Sequence, residues 1–119
     1  MTDTDSHQTG SAALKMPERA VLDEIVRRIV KVADPDSIIL FGSAARGEWS
    51  PDGDIDLLVV KADVEHRRRL AQKLHLEMYG IDAAVDIVVV TPEDIAYLSG
   101  KVGTVVTPAL NEGKEIYAA

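Results

Sequence analysis

Seven residues, Asp54-Ile55-Asp56-Leu57-Leu58-Val59-Val60, set the terms for the rest of the chain, because they begin as alternating acids and end as pure hydrocarbon. A run this short and β-branched reads as a buried strand. In a strand, side chains alternate between faces, so Asp54 and Asp56 share one face about 7 Å apart while Ile55 enters the core. Two carboxylates at roughly 5 Å in an effective dielectric of about 20 repel by on the order of 3 kcal/mol. A divalent cation reverses the sign of that term, and hard oxygen ligands suit magnesium.

Just upstream, Ser37-Ile38-Ile39-Leu40-Phe41 has the same apolar, strand-forming character and ends at Gly42-Ser43. A turn of small-residue helix, Ala44-Ala45-Arg46, is expected next, stopped by Gly47. Ser50-Pro51-Asp52-Gly53 is a strong turn signal before Asp54. Gly42 lets the backbone approach a phosphate with no Cβ in the way. Ser43 offers a hydroxyl and an N–H at the mouth of a short helix, where unpaired amides favour anions. Downstream, Ala84-Val85-Asp86-Ile87-Val88-Val89-Val90 is a third strand carrying a third acid. A charge inside so apolar a run is costly unless it is paired, metal-bound or at a wet strand edge.

The Asp-x-Asp triplet alone says little. The chain has 12 Asp residues and four such triplets, and only the one at 54/56 opens an apolar strand. The informative pattern is longer: strand, Gly-Ser, ten residues, Asp-x-Asp, strand, then a later strand bearing an acid.

That pattern, Gly42-Ser43, then Arg46-Gly47, Asp54-x-Asp56 and Asp86, resembles the nucleotidyltransferase superfamily of the DNA polymerase β type. It is most similar to the minimal single-domain branch, the MNT proteins encoded beside HEPN-domain toxins, over about Pro17 to Tyr117. One departure is Gly53, where the family often has Ser, which removes a hydroxyl but no metal ligand. The resemblance implies an α/β (α+β) fold like the polymerase β palm, a small mixed sheet covered by helices. It implies catalytic, magnesium-binding acids at Asp54, Asp56 and Asp86, and ATP phosphates gripped at Gly42 and Ser43. Arg46 would contact phosphate or acceptor, or else pin its loop through a salt bridge. It further implies an antitoxin that transfers AMP from ATP to a tyrosine hydroxyl of a partner HEPN toxin, in a hetero-oligomer. Two alternatives stay open: a non-catalytic antitoxin that neutralises its toxin by binding, and a small-molecule nucleotidyltransferase whose homodimer builds the acceptor pocket.

Composition narrows the partners. Formal net charge is −7, which counts against direct nucleic-acid binding, since such proteins usually carry a basic stripe. An acidic chain is better matched to a basic protein. With 46% hydrophobic and 28% charged residues over 119 positions, the chain has the make-up of one water-soluble domain. No membrane span or signal peptide is evident, and cysteine is absent, so a cytoplasmic location is expected.

Residues 1–15 lack periodicity and are expected to form a disordered tail, leaving 16–119 as a single domain. A packing helix is expected from Pro17 to Asp34, with Leu22, Ile25, Val26, Ile29, Val30 and Ala33 on one face. A second is expected over Lys61 to Gly80, with a seam of Leu70, Leu74 and Met78. Its basic run, His66-Arg67-Arg68-Arg69, reads first as a solvated face and second as a partner contact. His75 reads as a surface or half-buried histidine rather than a metal ligand. Thr91-Pro92-Glu93-Asp94 has the order of a helix start, giving a short helix to Leu98. A last helix is expected over Thr104 to Asn111, closed by Gly113, followed by a small strand at Glu115 to Tyr117.

Overall fold

The computed structural model describes residues 16–119, and the tail expected over 1–15 lies outside the described residues. The elements in chain order are α1 (Arg19–Ala33), β1 (Ser37–Phe41), α2 (Gly42–Ala45), β2 (Asp54–Val60), α3 (Arg67–Glu77), β3 (Ala84–Val90), α4 (Pro92–Leu98), α5 (Val106–Glu112) and β4 (Lys114–Ala118). The strands form one mixed sheet in the order β3-β2-β1-β4. Strand β1 runs antiparallel to both β2 and β4, and β2 runs parallel to β3. The α+β architecture with a small mixed sheet is therefore as expected.

The two faces of the sheet are covered by different helices. Ile38, Leu40, Ile55, Leu57, Val59, Ile87 and Val89 pack with α1 residues Ile25, Ile29 and Ala33 and α3 residues Leu74 and Met78. On the opposite face, Leu58, Val60 and Val90 pack with Val106 and Ala109 of α5, with Ile95 and Leu98 of α4 at the margin. Strand alternation places Asp54 and Asp56 on this second face, in line with Leu58 and Val60. The same alternation places Asp86 in line with Val88 and Val90. Helices α4 and α5 cover only the apolar end of that face. The acidic end is left open.

Several element bounds differ from expectation, each for a local reason. Helix α1 begins two residues after Pro17, which is itself buried, with Glu18 as its N-cap. Helix α2 takes in Gly42 and Ser43 and ends at Ala45. The second long helix starts at Arg67 rather than Lys61. Residues 61–66 instead turn back: Asp63 has φ +60°, and the Asp36 carboxylate accepts a hydrogen bond from Ala62 N at 2.8 Å. Helix α4 carries the expected start in full. Thr91 Oγ1 accepts from Asp94 N and Asp94 Oδ2 accepts from Thr91 N, both at 3.0 Å, with Pro92 at the first helical position.

Arg28 joins α1 to the end of α3, donating to the carbonyls of Glu77 and Tyr79 at 2.8 Å each. His75 is exposed, and its Nε2 lies 3.4 Å from Ile87 N on the outer edge of β3, as an acceptor. The basic run at 66–69 is exposed throughout, and Arg67 is paired with Asp94 of α4. No helix among the described residues is long and apolar enough to cross a membrane.

Candidate active site at the open end of the sheet

The register gathers the residues of the sequence pattern at one end of the sheet. Phe41, the last residue of β1, faces Asp56, so Gly42 and Ser43 leave the sheet beside the head of β2. Across the parallel pair, Asp56 faces Asp86, and Asp54 faces Ala84. Asp54 and Asp86 are exposed, and Asp56 is half-buried. Strand β3 is the edge of the sheet, so Asp86 bears no burial cost. Of the alternatives left by its apolar run, the wet strand edge is where Asp86 sits. Its position opposite Asp56 is what makes it part of the cluster.

The electrostatics follow from this placement. Burial first, then the charges of Asp86 and Asp54, push the Asp56 carboxyl above the usual aspartate range, and only Arg46 opposes them. Asp56 is thus the acid that most needs a positive charge nearby.

Gly42 lies directly against it. The glycine has φ +72°, a left-handed conformation, and a Cβ added there would overlap Asp56 Oδ2. Any side chain at 42 would carry backbone strain of roughly 1–2 kcal/mol and push the carboxylate aside. The smallest residue therefore leaves the space in front of Asp56 clear.

Whether these residues fit magnesium can be judged from the donor set. Every candidate ligand is a carboxylate oxygen, the hard donor that magnesium takes. Among the described residues, no three His, Cys, Asp or Glu side chains are gathered tightly enough to enclose a metal by themselves. Magnesium seldom needs such a cage; it commonly uses one or two carboxylates and takes its other ligands from water and substrate phosphates. Asp54 and Asp56 fit that arrangement, with Asp86 standing across from them.

The loop between α2 and β2 is closed by hydrogen bonds. Ser43 O accepts from Glu48 N at 2.9 Å, Ser50 O accepts from Gly53 N at 2.8 Å, and the Trp49 indole N–H donates to Gly53 O at 3.1 Å. A Cβ on residue 53 would sit 3.3 Å from Ser50 O and 3.5 Å from Trp49 Cδ1. The first approach is tight, so the Ser50 carbonyl would have to give by a few tenths of an ångström, whereas the second is ordinary contact. Arg46 donates from Nε to Glu48 and from Nη1 to Glu112 at the end of α5, both at 3.0 Å. These two partners hold its guanidinium firmly protonated. In this state Arg46 pins the loop to α5.

Trp49, Glu48 and Glu112 were not legible as site residues in the sequence. Glu112 lies far along the chain, and a lone tryptophan or glutamate carries no spacing signal. Two surface hollows lie elsewhere: one of about 460 Å3 is lined by His66, Arg67, Arg68, Arg69 and Gln72, another of about 400 Å3 by Met16, Pro17 and residues of α1 and β4. Neither includes an acid of the cluster. The chemistry points to the open sheet end, where Asp54, Asp56 and Asp86 share one face of two paired strands.

The fold is shared with solved toxin–antitoxin structures. A toxin–antitoxin structure with AMP-PNP is 25% identical, covering 81% of this chain and 73% of that chain, with a TM-score of 0.53. The MntA–HepT toxin–antitoxin is 23% identical over 86% of this chain and 74% of that one, with a TM-score of 0.53. The structure of a tri-AMPylated Shewanella oneidensis HEPN toxin in complex with MNT antitoxin is 23% identical over 85% and 72%, with a TM-score of 0.51. No curated protein sequence matches the chain significantly. Residues 21–96, which run from within α1 to within α4 and hold every acid of the cluster, match the nucleotidyltransferase domain profile. With the acids, Gly42 and Ser43 brought to one end of its mixed sheet, the chain belongs to the nucleotidyltransferase domain family.

Proposed function

We propose that this protein is a magnesium-dependent nucleotidyltransferase that moves AMP from ATP to a tyrosine hydroxyl of a partner HEPN toxin. The observation that carries the reading is the pairing of Asp56 with Asp86 across β2 and β3, with Asp54 on the same face and Gly42 against Asp56. Fold neighbours that include a structure with AMP-PNP and a tri-AMPylated HEPN toxin with MNT antitoxin support the choice of nucleotide and partner.

Asp54 and Asp56 would hold magnesium, with Asp86 completing the set. The metal would supply positive charge to screen the triphosphate and ease departure of pyrophosphate. Gly42 leaves room for phosphate, and the Ser43 hydroxyl and N–H donate to its oxygens. The tyrosine oxygen attacks the α-phosphorus, forming one P–O bond as the bond to pyrophosphate breaks. Its proton passes to a carboxylate, a role we assign to Asp86, which is exposed. A phenol with pKa near 10 gives up that proton more readily than an aliphatic hydroxyl. Arg46 would exchange Glu48 or Glu112 for a phosphate oxygen.

Mass spectrometry of a HEPN partner, after incubation with this protein, ATP and magnesium, tests the reading. Each modified tyrosine should gain one AMP, and none should be gained with Asp54→Asn or Asp56→Asn. If those variants silence the toxin as well as the unaltered protein does, neutralisation is by contact alone and the proposal fails.

A further inference from the structure

We infer that Trp49 is a positioning residue for Asp54, acting through the peptide plane that begins β2; this rests on the metal–nucleotide reading above. Pairing between β1 and β2 stops at Phe41↔Asp56, whereas pairing between β2 and β3 continues to Asp54↔Ala84. Asp54 is therefore supported by a neighbouring strand on one side only. Its other side faces the loop. Among the described residues no side chain hydrogen-bonds the exposed Asp54 carboxylate, so its position depends on the backbone beneath it.

That backbone is held by Trp49. The Gly53 carbonyl belongs to the same planar peptide unit as Asp54 N, so fixing one fixes the other. The Trp49 indole N–H donates to that carbonyl at 3.1 Å. The ring is itself anchored, half-buried and packed against the core shared by α1, α3 and the sheet. A Cβ at residue 53 would lie in ordinary van der Waals contact with the ring, 3.5 Å from Trp49 Cδ1, but tight against Ser50 O at 3.3 Å. An aromatic side chain rooted in the core thus aims the unsupported head of β2. Indole suits this task because it offers one donor on a large, rigid apolar body.

The test uses calorimetric titration with ATP, with and without magnesium, on the full chain and three variants. Trp49→Phe keeps an aromatic ring and removes the donor. It should weaken binding of magnesium–ATP roughly three- to tenfold, the effect of one hydrogen bond, and leave binding of metal-free ATP unchanged. Gly53→Ala should act in the same direction, because its Cβ would press on Ser50 O at 3.3 Å and shift the peptide unit that Trp49 holds. Because Trp49 is the sole tryptophan, displacing it should also shift the intrinsic fluorescence to longer wavelength. Asp54→Asn should remove the magnesium dependence altogether. A role confined to loop stability would lower the melting temperature of Trp49→Phe without touching magnesium dependence. If Trp49→Phe and Gly53→Ala bind magnesium–ATP like the unaltered protein while Asp54→Asn does not, the positioning role is refuted. If Asp54→Asn also binds normally, the metal reading fails first. Should Trp49→Phe not fold, Gly53→Ala still decides between these outcomes.

Discussion

At the scale of single residues, Asp56 bears the electrostatic cost of the cluster. Its folded pKa is raised, so the penalty is present at pH values above that folded value and is relieved as pH falls through it. Without magnesium, Asp56→Asn removes the penalty while keeping the side-chain shape. Its melting temperature at neutral pH should stay level or rise, while the proposed transfer activity should be lost. A large fall on thermal melting would mean that the carboxylate is structural. The acids themselves could be read in the sequence, because alternation in a strand fixes which of them share a face. The Gly42–Asp56 contact could not, since it needs the antiparallel register that brings β1 beside β2. The pairing of Arg46 with Glu112, 66 positions along the chain, was likewise illegible. Sequence spacing has no rule for such a pair.

At the scale of elements, the clearest local signal was the start of α4, where cap, proline and acids each have a local physical reason. The structure adds a long-range partner, for Arg67 at the start of α3 joins Asp94 within that cap. Arg67, then burial opposing it, then Thr91 leave the Asp94 carboxyl below its usual value. The resulting stabilisation is fully present above the unfolded aspartate value and lost as pH falls through the folded one. The pair is partly exposed, so the effect is modest. Melting-temperature differences between the unaltered protein and Asp94→Asn should hold steady from about pH 7 to about pH 5 and close at lower pH. A gap that persists undiminished in acid would show that Asp94 acts by shape rather than charge. The late start of α3 was illegible for a related reason. Residues 61–66 contain good helix formers, yet Asp36 captures the Ala62 N–H and turns the chain away. Tertiary contacts override propensity there.

At the scale of the whole molecule, the second sheet face is divided along its length. Leu58, Val60, Val88 and Val90 lie toward α4 and α5, whereas Asp54, Asp56 and Asp86 lie at the open end. Composition and strand pattern made a mixed sheet covered by helices legible, but not the strand order. The order β3-β2-β1-β4 places the two acidic strands side by side, and parallel pairing puts both acidic heads at the same end. An antiparallel β2–β3 pair would have sent Asp86 toward the opposite end. On the proposed reading, three carboxylates on a chain of net charge −7 would face an incoming triphosphate, so the nucleotide would need a cation to approach. Calorimetric titration of the unaltered protein with ATP, in the presence and absence of magnesium, measures that need most directly. Binding should be readily detected with magnesium and weak or absent without it; equal affinity in both conditions would contradict a metal–nucleotide site at Asp54, Asp56 and Asp86.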